Sequence, residues 1–453
     1  MTTDSFVIRV CYFRFMIDRA HLATLLDRER TTYEHRLPRS RAAYEAAGSL
    51  LGRVPMTWMN KAAGRFPAYL AQASGAAVTD LDGHTYVDFC LGDTGAMAGH
   101  SPEPVVRALA ARAGFTAMLP TEDAEWVGAE LARRFGMPLW SFSLTATDAN
   151  RWAIRLARQI TRRPKILVFN YCYHGSVDET VVTLGPVPRA GNVGAPVDPA
   201  LTTRVVEFND AAALRAELAH GDVACVLMEP ALTNIGIVLP EPGFLAEVRR
   251  ATREHGVLLI NDETHTFSAG PGGCTLAWDL DPDIVTIGKA IAGGVPIGAY
   301  GVTHEVAERI AAEKEADLVD VGGVGGTLAG NALSLAAARA TLGSVLTEAA
   351  FAHMIELSTR FTAGVAAAIE GLPWSVTQLG ARTEYRFGTP RNGGESAALS
   401  DDALDDYFHL YTHNRGILMT PFHNMALMCP ATTQADVDLH TEVFGAAVAE
   451  LIR

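Results

Sequence analysis

The chain has 453 residues, 49% of them hydrophobic and 19% charged, enough apolar mass for one large globular domain and a smaller one. Acidic residues outnumber Lys and Arg by 51 to 37, a formal net charge of −14, which argues against nucleic acid or an anionic membrane as partner. The six cysteines (Cys11, Cys90, Cys172, Cys225, Cys274 and Cys429) are scattered with no Cys-x-x-Cys pair, so no metal site or disulfide framework is expected and a reducing cytoplasm is the simplest home.

Phe6–Met16 is apolar, but Arg9 and Arg14 interrupt it and no small-residue cleavage site follows, so it does not read as a signal peptide. A start at Met16 and a functional extension both remain open. From Asp18 to about Ala47 the pattern is helical and charged, with Leu22, Leu25 and Leu26 on one side, and predicts an N-terminal arm. Ala77 to Phe89 alternates apolar and polar around Asp82-Gly83, predicting a β-hairpin, and Gly99-His100-Ser101-Pro102 breaks the chain before a helix.

The middle of the chain alternates the two patterns. Strands are predicted at Lys165–Phe169, Arg204–Phe208, Val223–Met228, Val257–Ile260, Ile284–Ile287 and Ile297–Val302, with helices at Thr147–Thr161, Ala211–Ala219 and Phe244–His255. This is the pattern of an α/β protein whose mostly parallel sheet is flanked by helices. A glycine-rich stretch, Gly322 to Thr327, then leads into an Ala-rich helix from about Gly330 to Val345. The expected organisation is an N-terminal arm and part of a small domain over 1–104, a large domain over 105–345, and the rest of the small α+β domain over 346–453.

In open α/β sheets ligands collect beyond the carboxyl ends of the strands. Glu229, Asp262, Lys289 and the run Tyr173-His174-Gly175 all fall there. Lys289 ends a buried strand among glycines, which suits an amine that must act as a nucleophile against a flat ring. One strand earlier, Asp262 has the charge to keep a pyridine nitrogen protonated. Together they point to pyridoxal 5'-phosphate (PLP), held by Lys289 as a Schiff base; a plain buried ion pair between the two is the alternative. Thr145-Ala146-Thr147 opens a helix whose amides suit a phosphate, or is an ordinary threonine cap. Tyr173 is placed to stack on a ring or to pack. His174 beside Cys172 is set aside as a catalytic couple, because no third orienting group is evident.

These residues resemble the class III aminotransferases of PLP fold type I, in the branch of glutamate-1-semialdehyde aminomutase and β-amino-acid transaminases. The likeness rests on Asp80-Leu81-Asp82-Gly83 with Tyr86 and Asp88, Gly99-His100 with Pro102, Thr145 to Ala149, Tyr173-His174-Gly175, Glu229-Pro230 with Asn234-Ile235-Gly236, Asp262-Glu263-Thr264, Gly288-Lys289 with Gly293-Gly294-Val295-Pro296 and Gly298-Ala299, and Gly326-Thr327 with Gly330-Asn331. The resemblance implies catalysis by Lys289 and Asp262, and coenzyme contacts from Thr145, Ala146, Thr147, Tyr173, Glu229, Asn234, Thr264 and Thr327. It also implies a homodimer in which Gly326-Thr327 reaches the neighbouring subunit's site.

Three positions depart from the family. Ala146 stands where glycine is usual, Thr264 where an apolar residue packs on the ring, and Trp58 where relatives carry an arginine for the substrate carboxylate. Arg53 is the nearby substitute, and His423 and Asn424 are further substrate candidates. With Phe422 and Met425, Trp58 suggests a hydrophobic or aromatic amine or amino-acid donor; domain packing is the other role open to it. The expected activity is transamination from such a donor to a keto acid or aldehyde. An aminomutase, racemase or amine lyase is the alternative outcome, and a non-catalytic PLP-binding regulatory subunit the alternative of another class.

Overall fold

The computed structural model describes residues 17–184, 197–313 and 323–453. The Phe6–Met16 stretch, Cys11 and Gly322 lie outside the described residues. The chain divides into two units, one of residues up to Ser101 with His353–Thr389 and Ala398–Arg453, the other of Pro102–Ala352 with Pro390–Ala397.

In the first unit the charged arm is two helices, Arg19–Arg36 and Pro38–Ala46. They part at Leu37 because a residue before proline is pushed out of helical geometry. Asp18 caps the first through the amides of Ala20 and His21, and Leu22, Leu25, Leu26 and Tyr33 are its buried residues. The predicted hairpin is β2 (Ala77–Asp80) and β3 (Thr85–Asp88), extended by β1 (Leu70–Ser74), which the sequence reading did not include. Gly83 makes its turn at φ 92°, a conformation open to glycine without strain.

The second unit is built on a seven-stranded sheet. Its strands are β4 (Leu139–Ser143), β5 (Lys165–Phe169), β6 (Thr203–Val206), β7 (Val223–Met228), β8 (Leu258–Asp262), β9 (Ile284–Gly288) and β10 (Gly298–Val302), in the order β4-β10-β9-β8-β7-β5-β6. From β6 to β9 all neighbours are parallel, while β10 runs antiparallel to both β9 and β4. β7, β8 and β9 are buried at every residue, which is why they read as mostly apolar runs rather than alternating ones, with Thr286 inside β9 and Asn261-Asp262 closing β8. The helix Ala146–Thr161 lays Ala149, Trp152, Ala153, Leu156 and Ala157 into the core they share.

Back in the first unit, β11 (Ser375–Leu379), β12 (Arg382–Arg386) and β14 (Met425–Leu427) form an antiparallel sheet, and the short β13 (Ile417–Leu418) pairs parallel with β3. Among the described residues no helix is long and apolar enough to cross a membrane.

Candidate active site

β8 carries its last residue, Asp262, to the carboxyl edge of the sheet, fully inside the protein. Three donors meet it there. His174 Nδ1, from the loop after β5, lies 2.8 Å from Oδ2, Asn150 Nδ2, from the helix Ala146–Thr161, lies 2.7 Å from the same oxygen, and the Thr264 amide lies 3.0 Å from Oδ1. Burial alone would push the Asp262 carboxyl up, but the hydrogen bond and positive charge of His174, with Thr264 and Asn150, hold it below the ordinary carboxylate value. For His174 burial works against the charge, yet the Cys172 sulfur and the Asp262 carboxylate raise it to about 10. The two groups thus support each other's charge, the imidazole raised and the carboxyl lowered.

This overturns the reason for setting His174 aside. The ring has an orienting group, Asp262, contributed by a strand that sequence spacing does not connect to it. Asn150 was missed too, although it is a polar residue on the apolar face of its helix. That is itself a signal, since a buried amide must find partners. It does so with Asp262, with the His174 carbonyl at 3.2 Å, and with the Thr286 hydroxyl at 2.5 Å.

Lys289 leaves β9 at φ 50°, a left-handed conformation that costs a non-glycine residue about 1–2 kcal/mol. The chain turns there into the short Lys289–Ala292 turn. Gly288 makes the turn possible, because a Cβ on it would lie 2.9 Å from the Ala146 nitrogen and 2.8 Å from the Ala146 Cβ. The backbone at Gly288, just before the lysine, is thus packed against the start of the helix Ala146–Thr161. Its Nζ contacts His265 Nε2.

At that helix start Thr145 is the cap residue, its hydroxyl accepting from the Asp148 amide at 3.2 Å and donating to Asp148 Oδ2 at 3.0 Å. The hydroxyl is occupied by capping, and the amides of a helix's first turn have no partner within the helix, which is the geometry that suits an anion. Ala146 takes an ordinary helical conformation as the first residue of the helix, so glycine is not required there.

The remaining coenzyme candidates sit as follows. Glu229, just past β7, is buried and accepts from the Tyr173 amide at 3.3 Å and from Thr233. Asn234 donates to the Tyr171 carbonyl at 3.2 Å, and Thr327 is exposed in the loop before the helix Ala332–Ser344. Glu263, next to Asp262, faces elsewhere and accepts from Thr266, from the Cys274 amide at 3.0 Å, and from the Thr275 amide and hydroxyl at 2.5 Å each.

The substrate candidates all belong to the first unit. Trp58 meets Phe422 edge-on with ring centroids 5.6 Å apart, and the Lys61 ammonium lies 5.4 Å from the centre of the Phe422 ring. Arg53 is exposed and donates to the Glu45 carbonyl at 3.1 Å. His423 Nδ1 lies 3.3 Å from Glu384, and both ends of the Asn424 amide are taken, by Asp405 at 2.6 Å and His409 at 3.2 Å.

A family model described as aminotransferase class-III matches residues 58–443. The chain belongs to that family. It is 34% identical to a glutamate-1-semialdehyde 2,1-aminomutase of Desulfitobacterium hafniense (strain Y51), over 84% of this chain and 91% of that protein. Among solved structures it matches a glutamate-1-semialdehyde-aminomutase from Pseudomonas aeruginosa PAO1 in complex with PMP, at TM-score 0.94 and 50% identity over 96% of this chain and 99% of that one. A β-phenylalanine aminotransferase from Variovorax paradoxus matches at TM-score 0.82 and 26% identity, over 94% of this chain and 97% of that one.

The class III chain has the fold of type I PLP enzymes, and PLP is its coenzyme. The donor set suits that molecule. A buried carboxylate pinned as an anion faces the edge of the sheet, a lysine amine stands one strand over, and a helix presents its amides beside that lysine.

Proposed function

We propose that Lys289 carries the coenzyme through Nζ, that Asp262 holds its ring nitrogen protonated, and that the amides of Ala146 and Thr147 with the Thr147 hydroxyl bind its phosphate. Thr145, Tyr173, Glu229, Asn234 and Thr264 complete the immediate surroundings of the ring and phosphate. Bound there, the coenzyme supplies an electron sink beside the substrate amine. Asp262 sustains that sink by keeping its negative charge, for which His174 and Asn150 hold it in place. Lys289, once free, has an amine able to take a proton from one carbon and return it to another. Gly326-Thr327 would reach a neighbouring copy in a homodimer.

For the reaction itself we propose an aminomutase, which relocates the amino group within one substrate. The names of the relatives support this outcome over the transamination expected from sequence. Transamination of a hydrophobic or aromatic amine is the second reading, supported by Trp58 and Phe422 packing as an aromatic pair at the position of a carboxylate-binding arginine. Purified protein given glutamate 1-semialdehyde alone, and separately an aromatic amine with pyruvate or 2-oxoglutarate, distinguishes the two. Turnover of the first without any acceptor supports the mutase; turnover only with an added keto acid replaces it by transamination. A Lys289→Ala protein that still turned over would end both.

A further inference from the structure

Lys289 Nζ does not face its surroundings alone. It contacts His265 Nε2, whose ring Nδ1 lies 2.8 Å from the Thr233 hydroxyl, and that hydroxyl donates to Glu229 Oε2. Four residues from three loops, those after β7, β8 and β9, thus form one hydrogen-bonded chain. Thr233, Glu229 and His265 are all buried, at 1%, 2% and 6% exposure.

The chain has a direction. A threonine hydroxyl carries one hydrogen, and here it goes to Glu229, so toward His265 it is an acceptor. Nδ1 must then carry the imidazole proton, which leaves the lone pair of Nε2 aimed at Lys289. Glu229 accepts at both of its oxygens, from the Tyr173 amide at Oε1 and from the Thr233 hydroxyl at Oε2, while burial, with the Asp262 charge, pushes its carboxyl up against the opposing pull of His174 and these two donors.

Resting on the assignment of Lys289 as the attachment point, we propose that His265 is a further catalytic residue, an imidazole that accepts a hydrogen bond from Lys289 Nζ through Nε2 and fixes the position of that nitrogen while the coenzyme is attached. Thr233 and Glu229 are positioning residues that set the tautomer through the ring. In the coenzyme-loaded protein, a hydrogen bond accepted from the Lys289 nitrogen favours the form that carries the hydrogen. The other ionisable groups at this edge are Asp262, His174, Cys172, Tyr173 and Glu229, with Glu263 turned away toward Thr266 and Thr275.

The test uses the PLP-loaded protein as wild type and as His265→Phe, His265→Gln, Thr233→Val and Thr233→Ser. Borohydride reduction with peptide mapping locates the coenzyme, and a pH titration of its visible absorbance reads the protonation of Nζ. We expect the adduct on Lys289 throughout. The titration midpoint should fall by about one pH unit in His265→Phe and by part of that in Thr233→Val. It should stay near wild type in Thr233→Ser, which keeps the hydroxyl, and lie between in His265→Gln. Thr233→Val is nearly isosteric, so the result does not hang on the folding of His265→Phe. Wild-type protein with no adduct on Lys289 overturns the attachment and the relay with it. An adduct on Lys289 with midpoints unmoved, or raised, in both His265→Phe and Thr233→Val overturns the relay alone.

Discussion

His174 Nδ1 lies 2.8 Å from Asp262 Oδ2, with both side chains closed off from solvent. The contact joins the loop after β5 to the end of β8 across the intervening β7, and Asn150 brings the helix Ala146–Thr161 to the same oxygen. A carboxylate held from three directions keeps both its charge and its aim. That is what the proposed contact with a ring nitrogen requires.

Asp262→Asn removes the charge while keeping the shape. A charge-assisted hydrogen bond contributes about 1.5–3 kcal/mol, so coenzyme affinity should weaken roughly 10–100-fold. Fluorescence titration of the apoprotein with PLP measures this. An affinity within a factor of two of wild type would show that the carboxylate does not meet the ring nitrogen.

The ion pair also makes a pH prediction. His174 is raised from 6.5 unfolded to about 10 folded, so its contribution to stability is complete below about pH 6.5 and is lost as pH rises through about 10. Asp262 is lowered from 3.8, so its contribution is present above about pH 4 and disappears as pH falls through its folded value. His174→Gln should therefore melt below wild type at pH 7, with the gap closing toward pH 11. Melting curves at pH 6, 7, 9 and 11 test it, and a gap that widens with pH contradicts the charged pair.

Much of this was legible in the sequence. Buried parallel strands show as short apolar runs, so β5, β7, β8 and β9 were found within a residue or two of their ends, and Asp262 and Lys289 with them. The strand β4 was not found, because Leu139–Ser143 is a partly exposed edge strand whose placement depends on pairing with β10, far along the chain. For the same reason His174, Asn150, Thr233 and His265 were not assembled. Each is unremarkable in its own segment, and only the sheet order brings the loops after β5, β7 and β8 together. The run Asn261 to Thr266 did hold a clue, six polar residues directly after the apolar Leu258–Ile260, all buried.

Gly288→Ala should damage the site without touching its chemistry. The added Cβ would come within 2.9 Å of a backbone nitrogen at Ala146, so either the lysine turn or the helix start must move. Overpacking of this kind costs about 1–3 kcal/mol. The expected outcome is a lower melting temperature together with loss of retained coenzyme on gel filtration. Full retention would mean that the helix start is not part of the coenzyme site.

Ala146→Gly restores the family's usual residue and should gain nothing. Because Ala146 already lies in a helix, glycine there costs up to about 1 kcal/mol in backbone entropy. Melting temperature and PLP affinity should both fall slightly. A tighter affinity would show that the turn needs a conformation that alanine denies it.

Trp58→Arg tests the substrate. An arginine pairs a carboxylate through two parallel hydrogen bonds, whereas an indole offers one donor and a broad apolar face. The substitution also removes an edge-on aromatic contact with Phe422, of the kind that contributes about 0.5–1.5 kcal/mol, and places a second cation near Lys61. If Trp58 lines the substrate, kcat/KM should shift toward a carboxylate-bearing substrate by about tenfold relative to an aromatic amine, equivalent to about 1.4 kcal/mol. If Trp58 only packs the first unit, the melting temperature falls while the ratio of the two kcat/KM values stays constant. Because stability and specificity part company in these two cases, measuring both on one variant assigns the side chain its role.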